Sequence, residues 1–227
     1  MRPLSVIIAV RDGAAFLAEA IESARDQSWA PDEIIVVDDG SQDDSARIAA
    51  SFPEVRLLRQ PPRGVSAARN AGVDASRGEL LAFLDADDRW PAKLERQVGH
   101  LLAHPDTDVV LGRQELLLEP GAPLPRWVDR EGGVEAVNGS AHPLTLVTWR
   151  SIWDRVGPFS RAVANSEDTD WLLRAGELRM RITVLDDIVL VRRIHAHNVT
   201  HDDDAHRRGV VLMLKARIDR KRAAAGQ

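Results

Sequence analysis

The chain has no cysteine and no tyrosine, few aromatic residues and no long apolar run, and each absence removes a class of protein. Without cysteine there is no disulfide, no thiolate metal centre and no Cys nucleophile, a pattern that suits either a cytoplasmic setting or indifference to redox. No stretch reaches the roughly 18 apolar residues that a membrane-spanning helix needs. The N-terminus runs directly into a strand pattern, with no charged-then-apolar leader. Positive charge is short as well: 30 Lys and Arg stand against 35 Asp and Glu, a net charge of −5, which argues against a nucleic-acid binder held by phosphate contacts. Aromatics are confined to four Phe and six Trp; most tryptophans are core, and Trp127, in an irregular segment, is the candidate for a stacking contact with a ligand.

What is present suits one α/β core: 44% of the 227 residues are apolar and 29% charged,. Leu4 to Val10 reads as a buried strand, and Phe16, Leu17, Ala20, Ile21 and Ala24 follow at helical spacing,. The alternation repeats through a strand at Glu33 to Val37, a helix from Asp43 or Asp44 to Ala50, and a strand at Val55 to Leu58. A small-residue helix at Val65 to Ala75, a strand at Leu80 to Leu84, a helix at Pro91 to Ala103 and a strand at Val109 to Leu111 complete it. Such an order predicts a single domain with a central, mostly parallel sheet flanked by helices, its ligands at the carboxyl ends of the strands. Residues 119–143, rich in proline and glycine, read as a long loop or lid. Helices are expected near Trp149 to Val156 and Glu167 to Gly176, strands at Ile182 to Leu185 and Ile188 to Ile194, and a basic helix over His206 to Arg222. The expected division is two halves of one domain, 1–112 and 113–201, and a C-terminal basic helix over 202–227.

Chemistry concentrates where strands end. Leu80 to Leu84 runs into Asp85, Asp87 and Asp88, and alternate residues of an extended segment share a face, so Asp85 and Asp87 can converge,. Carboxylates that close repel unless a cation joins them, and an all-oxygen set suits Mg²⁺ or Mn²⁺. The competing reading is an acidic turn ahead of the helix that Pro91 starts. Asp38 and Asp39 end another strand, one able to close the turn and the other to accept a hydrogen bond from a ligand. Glu167 and Asp168 open a helix about 100° apart, so only one of them can face an acceptor; a plain cap at Ser166 is the alternative. His195 and His197 would share a strand face, a further metal possibility near the acidic run Asp202 to Asp204. The basic C-terminal helix could dock on an anionic membrane or an acidic partner, against the plainer reading of a solvated terminal helix.

Taken in order, Ser5-Val-Ile-Ile-Ala-Val-Arg-Asp12, Val36-Val-Asp-Asp-Gly-Ser41, Gly64-Val-Ser-Ala-Ala-Arg-Asn-Ala-Gly72, Phe83-Leu-Asp-Ala-Asp-Asp88 and Ser166-Glu-Asp168 resemble the family 2 glycosyltransferases, inverting enzymes of the A-type nucleotide-sugar fold. The resemblance runs from about residue 3 to 201. It implies transfer of a sugar from a nucleoside diphosphate donor, a UDP-sugar, to a hydroxyl acceptor, with Mn²⁺ or Mg²⁺ as cofactor. It further implies Asp168 as catalytic base, Asp87 as metal ligand with His195 near metal or phosphate, and a nucleotide site made from Ala9, Arg11, Asp39, Arg69, Asp85 and Ala86. Arg193-Ile-His195, Asn198 and Thr200 resemble the family's late segment beside the diphosphate. One departure is visible: the family's aromatic-Asn pair after the first strand is Arg11-Asp12, where a guanidinium could stack on the base instead. The alternative from another class is a noncatalytic module that binds nucleotide sugar or glycan; a nucleotidyltransferase would need a fuller Gly-rich loop than Val10-Arg-Asp-Gly13.

Overall fold

The computed structural model describes residues 2–163, 165–196, 198 and 203–225; His197, Thr200 and Asp202 lie outside the described residues. Its first half follows the alternation of buried strand and amphipathic helix. β1 (Leu4–Val10), β2 (Glu33–Asp38), β3 (Val55–Arg59) and β4 (Leu80–Asp85) are all parallel, with β2 and β4 on either side of β1. Both faces of β1 are covered, which is why its sequence is a continuous apolar run. Val6, Ile8 and Val10 meet Leu17, Ala20, Ile21 and Ala24 of α1 (Leu17–Arg25) and Leu94, Val98 and Leu101 of α4 (Leu94–Ala103), while Ile7 faces the other way. The small α2 (Ser45–Ala50) packs on β2 and β3, and α3 (Val65–Ala75) on β1 and β2. α3 lies very close to the sheet: a Cβ on Gly72 would come within 2.5 Å of Ile7 Cγ2. That contact brings Arg69, one turn earlier, towards the tip of β4.

The second half adds β6 (Val147–Trp149), β5 (Val109–Leu118) and β7 (Ile182–Ile194), giving the order β3-β2-β1-β4-β6-β5-β7. β6 is antiparallel to both β4 and β5. It takes Val147 and Thr148, to which the sequence pattern assigned no element, and Trp149, where a helix was expected to start, because three residues are too few to display alternation. α7 (Arg150–Val156) and α8 (Glu167–Glu177) then place Trp153 and Trp171 over Phe83 and Phe159 as a second core layer. The strands expected separately at 182–185 and 188–194 are one strand paired parallel to a β5 that extends to Leu118. The Asp186-Asp187 interruption is absorbed as register shifts around Arg113.

The expected lid is only partly irregular. It contains two short helices, α5 (Arg126–Arg130) and α6 (Val134–Val137), and a 3₁₀ turn at Pro143–Thr145. Its end is stitched to β5 by Gly139 N–H donating to Gln114 O (2.7 Å), Gln114 N–H to Ser140 O (2.9 Å) and Leu116 N–H to Asn138 Oδ1 (2.7 Å). The chain closes with α9 (Asp203–Ala225). Among the described residues no helix is long and apolar enough to cross a membrane.

Candidate active site

Parallel pairing lines up the carboxyl ends of β2, β1 and β4: Asp38 is in register with Val10, and Asp85 with Ala9. Both acidic strand ends therefore flank β1, about 5 Å to each side. The loop after β1 is held open by side chains from the loop after β2. Asp12, at φ 52°, donates its N–H to Ser41 Oγ (2.9 Å), and its Oδ1 accepts from Gln42 N–H (2.7 Å). Asp, like Asn, tolerates that left-handed backbone, so Asp12 can hold this turn. Arg11 itself is exposed, its Nε 4.0 Å from Asp12 Oδ2.

The two aspartates ending β2 divide their work. Asp38, fully buried, closes the turn through Ser41 N–H on Oδ1 (2.8 Å) and meets Arg59 Nε with Oδ2 (3.0 Å). Asp39 is also buried; its Oδ1 accepts from Gln60 Nε2 (2.6 Å) and Arg63 N–H (2.8 Å), and its Oδ2 from Gly64 N–H (2.8 Å). Asp39 thus fastens the segment that leads into α3, with spare acceptor capacity on Oδ2 alone.

Arg69 is the centre of the electrostatics. Buried at 5% exposure, it is no solvated helix arginine: Nη2 donates to Asp85 Oδ1 (2.5 Å) and Nη1 to Glu167 Oε1 (2.6 Å). Burial works against its charge, but Asp85, Glu167 and Asp168 outweigh that and hold its pKa above the ordinary value. The same burial pushes the Asp85 and Glu167 carboxyls up, with Arg69 pulling both back down. One guanidinium therefore ties the tip of β4 to the first turn of α8. Glu167 is consumed by that tie, and Asp168, roughly 100° further round, is left half-buried with Oδ1 accepting from Thr169 N–H (2.6 Å). Ser166 makes no capping bond, its hydroxyl donating to Asn165 O instead, so the simple capping alternative is not realised.

Asp85, Asp87 and Asp88 can offer one oxygen each within 4.8 Å of one another. Asp88 is buried, accepts from Arg193 N–H on Oδ1 (2.8 Å), and has its carboxyl pushed well up by burial and by the charges of Asp87 and Asp85. Asp87 is the most accessible of the chelating set; its described hydrogen bonds fall on Oδ2, from Asn198 Nδ2 (3.0 Å) and at His195 Nε2 (3.2 Å). Three convergent carboxylates, two with raised pKa values, form a donor set that fits a hard divalent cation. Arg193 fixes the far wall: its guanidinium reaches Asp87 O (3.1 Å), Glu119 and Glu19, and lies 4.8 Å from the Phe16 ring centre. Ala86, between Asp85 and Asp87 in the chain, is buried at 8% exposure.

Two residues enter the site region without having been singled out. His142 feels Arg192, Asp168, Arg69 and Lys93, and burial first, then Arg192, lowers its pKa to about 3. Its Nδ1 accepts from Leu144 N–H (3.2 Å), which leaves the ring proton on Nε2,. An isolated histidine in a loop offers no spacing signal. Lys93 is fully buried with its Nζ 4.1 Å from the Trp90 ring centre and no hydrogen bond among the described residues; burial drives its pKa well down. A lysine just ahead of a helix, the wrong end for its charge, was the available clue. Glu167 was weighed only as the neighbour of Asp168. Trp127 stands under the Arg192 guanidinium, 4.8 Å from its ring centre.

Comparison with known proteins bears on this geometry. A family model described as Glycosyl transferase family 2 matches residues 5–122. An uncharacterised glycosyltransferase of Rickettsia felis is 30% identical over 211 residues, covering 85% of this chain and 34% of the relative. An uncharacterised protein of Mycobacterium tuberculosis is 30% identical over 227 residues, covering 90% of this chain and 64% of its own length. The crystal structure of S. aureus TarS 1-349 in complex with UDP-GlcNAc superposes with a TM-score of 0.68 at 18% identity, covering 92% of this chain and 65% of that one. At that identity the likeness speaks for the fold, a GT-A glycosyltransferase fold. The chain spans between about a third and two thirds of the length of these relatives.

Proposed function

Because the chain belongs to glycosyl transferase family 2, we propose that it is an inverting glycosyltransferase that moves a sugar from a nucleoside diphosphate sugar to a hydroxyl acceptor. The observation that carries this reading is the Arg69 bridge, which draws the acidic tip of β4 and the start of α8 into one site while leaving Asp168 without an ion pair among the described residues. A UDP-sugar is the donor in this reading, supported by the UDP-GlcNAc named with the S. aureus structure. Ala9, Arg11, Asp39, Arg69, Asp85 and Ala86 form the nucleotide side, and residues 113–201 contribute the acceptor side.

Asp87 would hold a divalent cation, Mn²⁺ or Mg²⁺, with Asp85 and Asp88 beside it and His195 at its edge. When bound, it supplies positive charge to the diphosphate leaving group. Arg69 keeps Asp85 and Glu167 ionised and fixed in position. Asp168 takes the acceptor's hydroxyl proton on Oδ2, since Oδ1 is occupied by Thr169. The acceptor oxygen bonds to the anomeric carbon on the face opposite the diphosphate; the sugar–phosphate C–O bond breaks with its electron pair on the phosphate oxygen. Configuration is inverted.

General bases contribute about 10² to 10⁴ in rate. Asp168→Asn therefore loses that range of transfer, assayed with UDP-sugars and Mn²⁺, while retaining UDP affinity by thermal shift. Unchanged turnover would remove Asp168 from the mechanism, and neither transfer nor slow donor hydrolysis in the parent would favour a noncatalytic binding module.

A further inference from the structure

α9 presents two opposite faces. One is docked: Gly209 and Met213 are buried, Arg217 reaches Glu177 (3.5 Å), and Arg220 reaches both Glu177 (3.0 Å) and Asp170 (3.1 Å) on α8. At 100° per residue, Val211, Leu214 and Ile218 fall within about 60° of one another on the opposite side. They are 63%, 46% and 51% exposed. An ordinary surface helix carries polar residues there; α9 carries aliphatic residues both where it is docked and where it is not.

The rim of the stripe is basic. Arg207 lies one turn before Val211, Lys215 flanks Leu214, and Lys221 and Arg222 follow Ile218 by a turn, all exposed. Asp204 and Asp219 are exposed acids on the same helix. The chain as a whole is negative, at −5, so this local excess of positive charge is set against the general sign and selects an anionic surface. Aliphatic side chains in line, with long cationic chains able to extend sideways from them, match the boundary between acyl chains and phosphates of a bilayer.

We propose that α9 lies flat on an anionic lipid bilayer, with Val211, Leu214 and Ile218 in the acyl boundary and Arg207, Lys215, Lys221 and Arg222 at the headgroup phosphates. The helix is fastened through Arg220 to Asp170, two residues from Asp168, so a docked α9 holds the candidate site at a set orientation above the lipid. The surface is separate from the site, and its occupancy stands or falls independently of the glycosyl transfer reading.

Cosedimentation of the full chain with vesicles of phosphatidylcholine alone, or mixed with phosphatidylglycerol, tests the surface. Binding is expected only to the anionic vesicles and is weakened by salt. Replacing Lys215, Lys221 and Arg222 by Gln lowers the partition on the order of a hundredfold, at roughly fivefold per basic residue. The set Val211→Ser, Leu214→Ser and Ile218→Ser abolishes binding, with Tm and UDP-induced thermal shift unchanged because those side chains are exposed. No binding to anionic vesicles at low salt overturns the proposal, as does equal binding by the serine variant. A concentration-dependent dimer that the serine variant dissolves, without vesicle binding, assigns the stripe to a second copy and overturns it too.

Discussion

Replacing Arg69 by methionine removes the cation that lies between Asp85 and Glu167, keeping most of the side-chain volume. Glu167 is the costlier partner to strand: its side chain is 5% exposed, and its Oε2 already lacks a hydrogen-bond partner. Asp85, 31% exposed, can recover some hydration. Stranding a buried charge costs about 3–5 kcal/mol. At about 2–4 °C per kcal/mol for a chain of this size, Tm falls by roughly 6–20 °C. Glu167→Gln alone is milder, since Arg69 retains Asp85. The double variant Arg69→Met with Glu167→Gln recovers part of the loss, because the buried carboxylate has gone with its partner; the coupling is about 1–3 kcal/mol. Calorimetry on the four proteins without added metal measures all of this. An Arg69→Met protein melting within about 2 °C of the parent, or a double variant whose loss is the sum of the singles, would refute the bridge as the element that joins β4 to α8.

Metal dependence follows from the clustered carboxylates. Mn²⁺ or Mg²⁺ at 100 times its dissociation constant adds about 2.7 kcal/mol of apparent stability to the parent, and Asp87→Ala removes that increment while leaving the metal-free Tm unchanged or higher; an equal increment in the variant counts against the site. The pH response reports on His142. The unfolded imidazole binds a proton near pH 6.5, but the folded one only at about 3, so its contribution is complete above about pH 6.5 and is lost on acidification, at up to about 1.4 kcal/mol per pH unit. His142→Gln should therefore lose less Tm than the parent between about pH 7 and 5, and parallel melting curves would show that the ring titrates normally. Lys93→Met exchanges a buried amine without a hydrogen-bond partner for an apolar chain of similar length, so urea denaturation should find equal or greater stability; a loss above about 2 kcal/mol would mean the amine is bonded in solution.

The local order of strands and helices through residue 103 was legible in the sequence because each buried strand is a continuous apolar run and each helix repeats its apolar face every three to four residues. Asp38, Asp39, Asp85, Asp87 and Asp88 were legible for the same reason: they stand where those runs stop, and parallel sheets gather their ends on one edge. Beyond that point the signals are short or non-local. β6 has three residues, the β5–β7 pairing spans a bulge, and the 119–143 segment is held by backbone bonds to β5 that leave no trace in composition.

Sequence alone therefore determined which residues carry charge at the strand ends and which faces are apolar, since both depend on neighbours along the chain. Tertiary structure decided how those charges are spent. It committed Glu167 rather than Asp168 to Arg69, a contact across 98 positions, and turned Asp39 into a fastener for the entry to α3. It also buried Lys93, left His142 half-buried, disfavoured the charged form of both, and left an aliphatic stripe of α9 facing outward. The physical reason is that hydrogen bonding and desolvation act between groups that only folding brings together, and no spacing rule along one chain can foresee which of two adjacent carboxylates will meet a distant arginine.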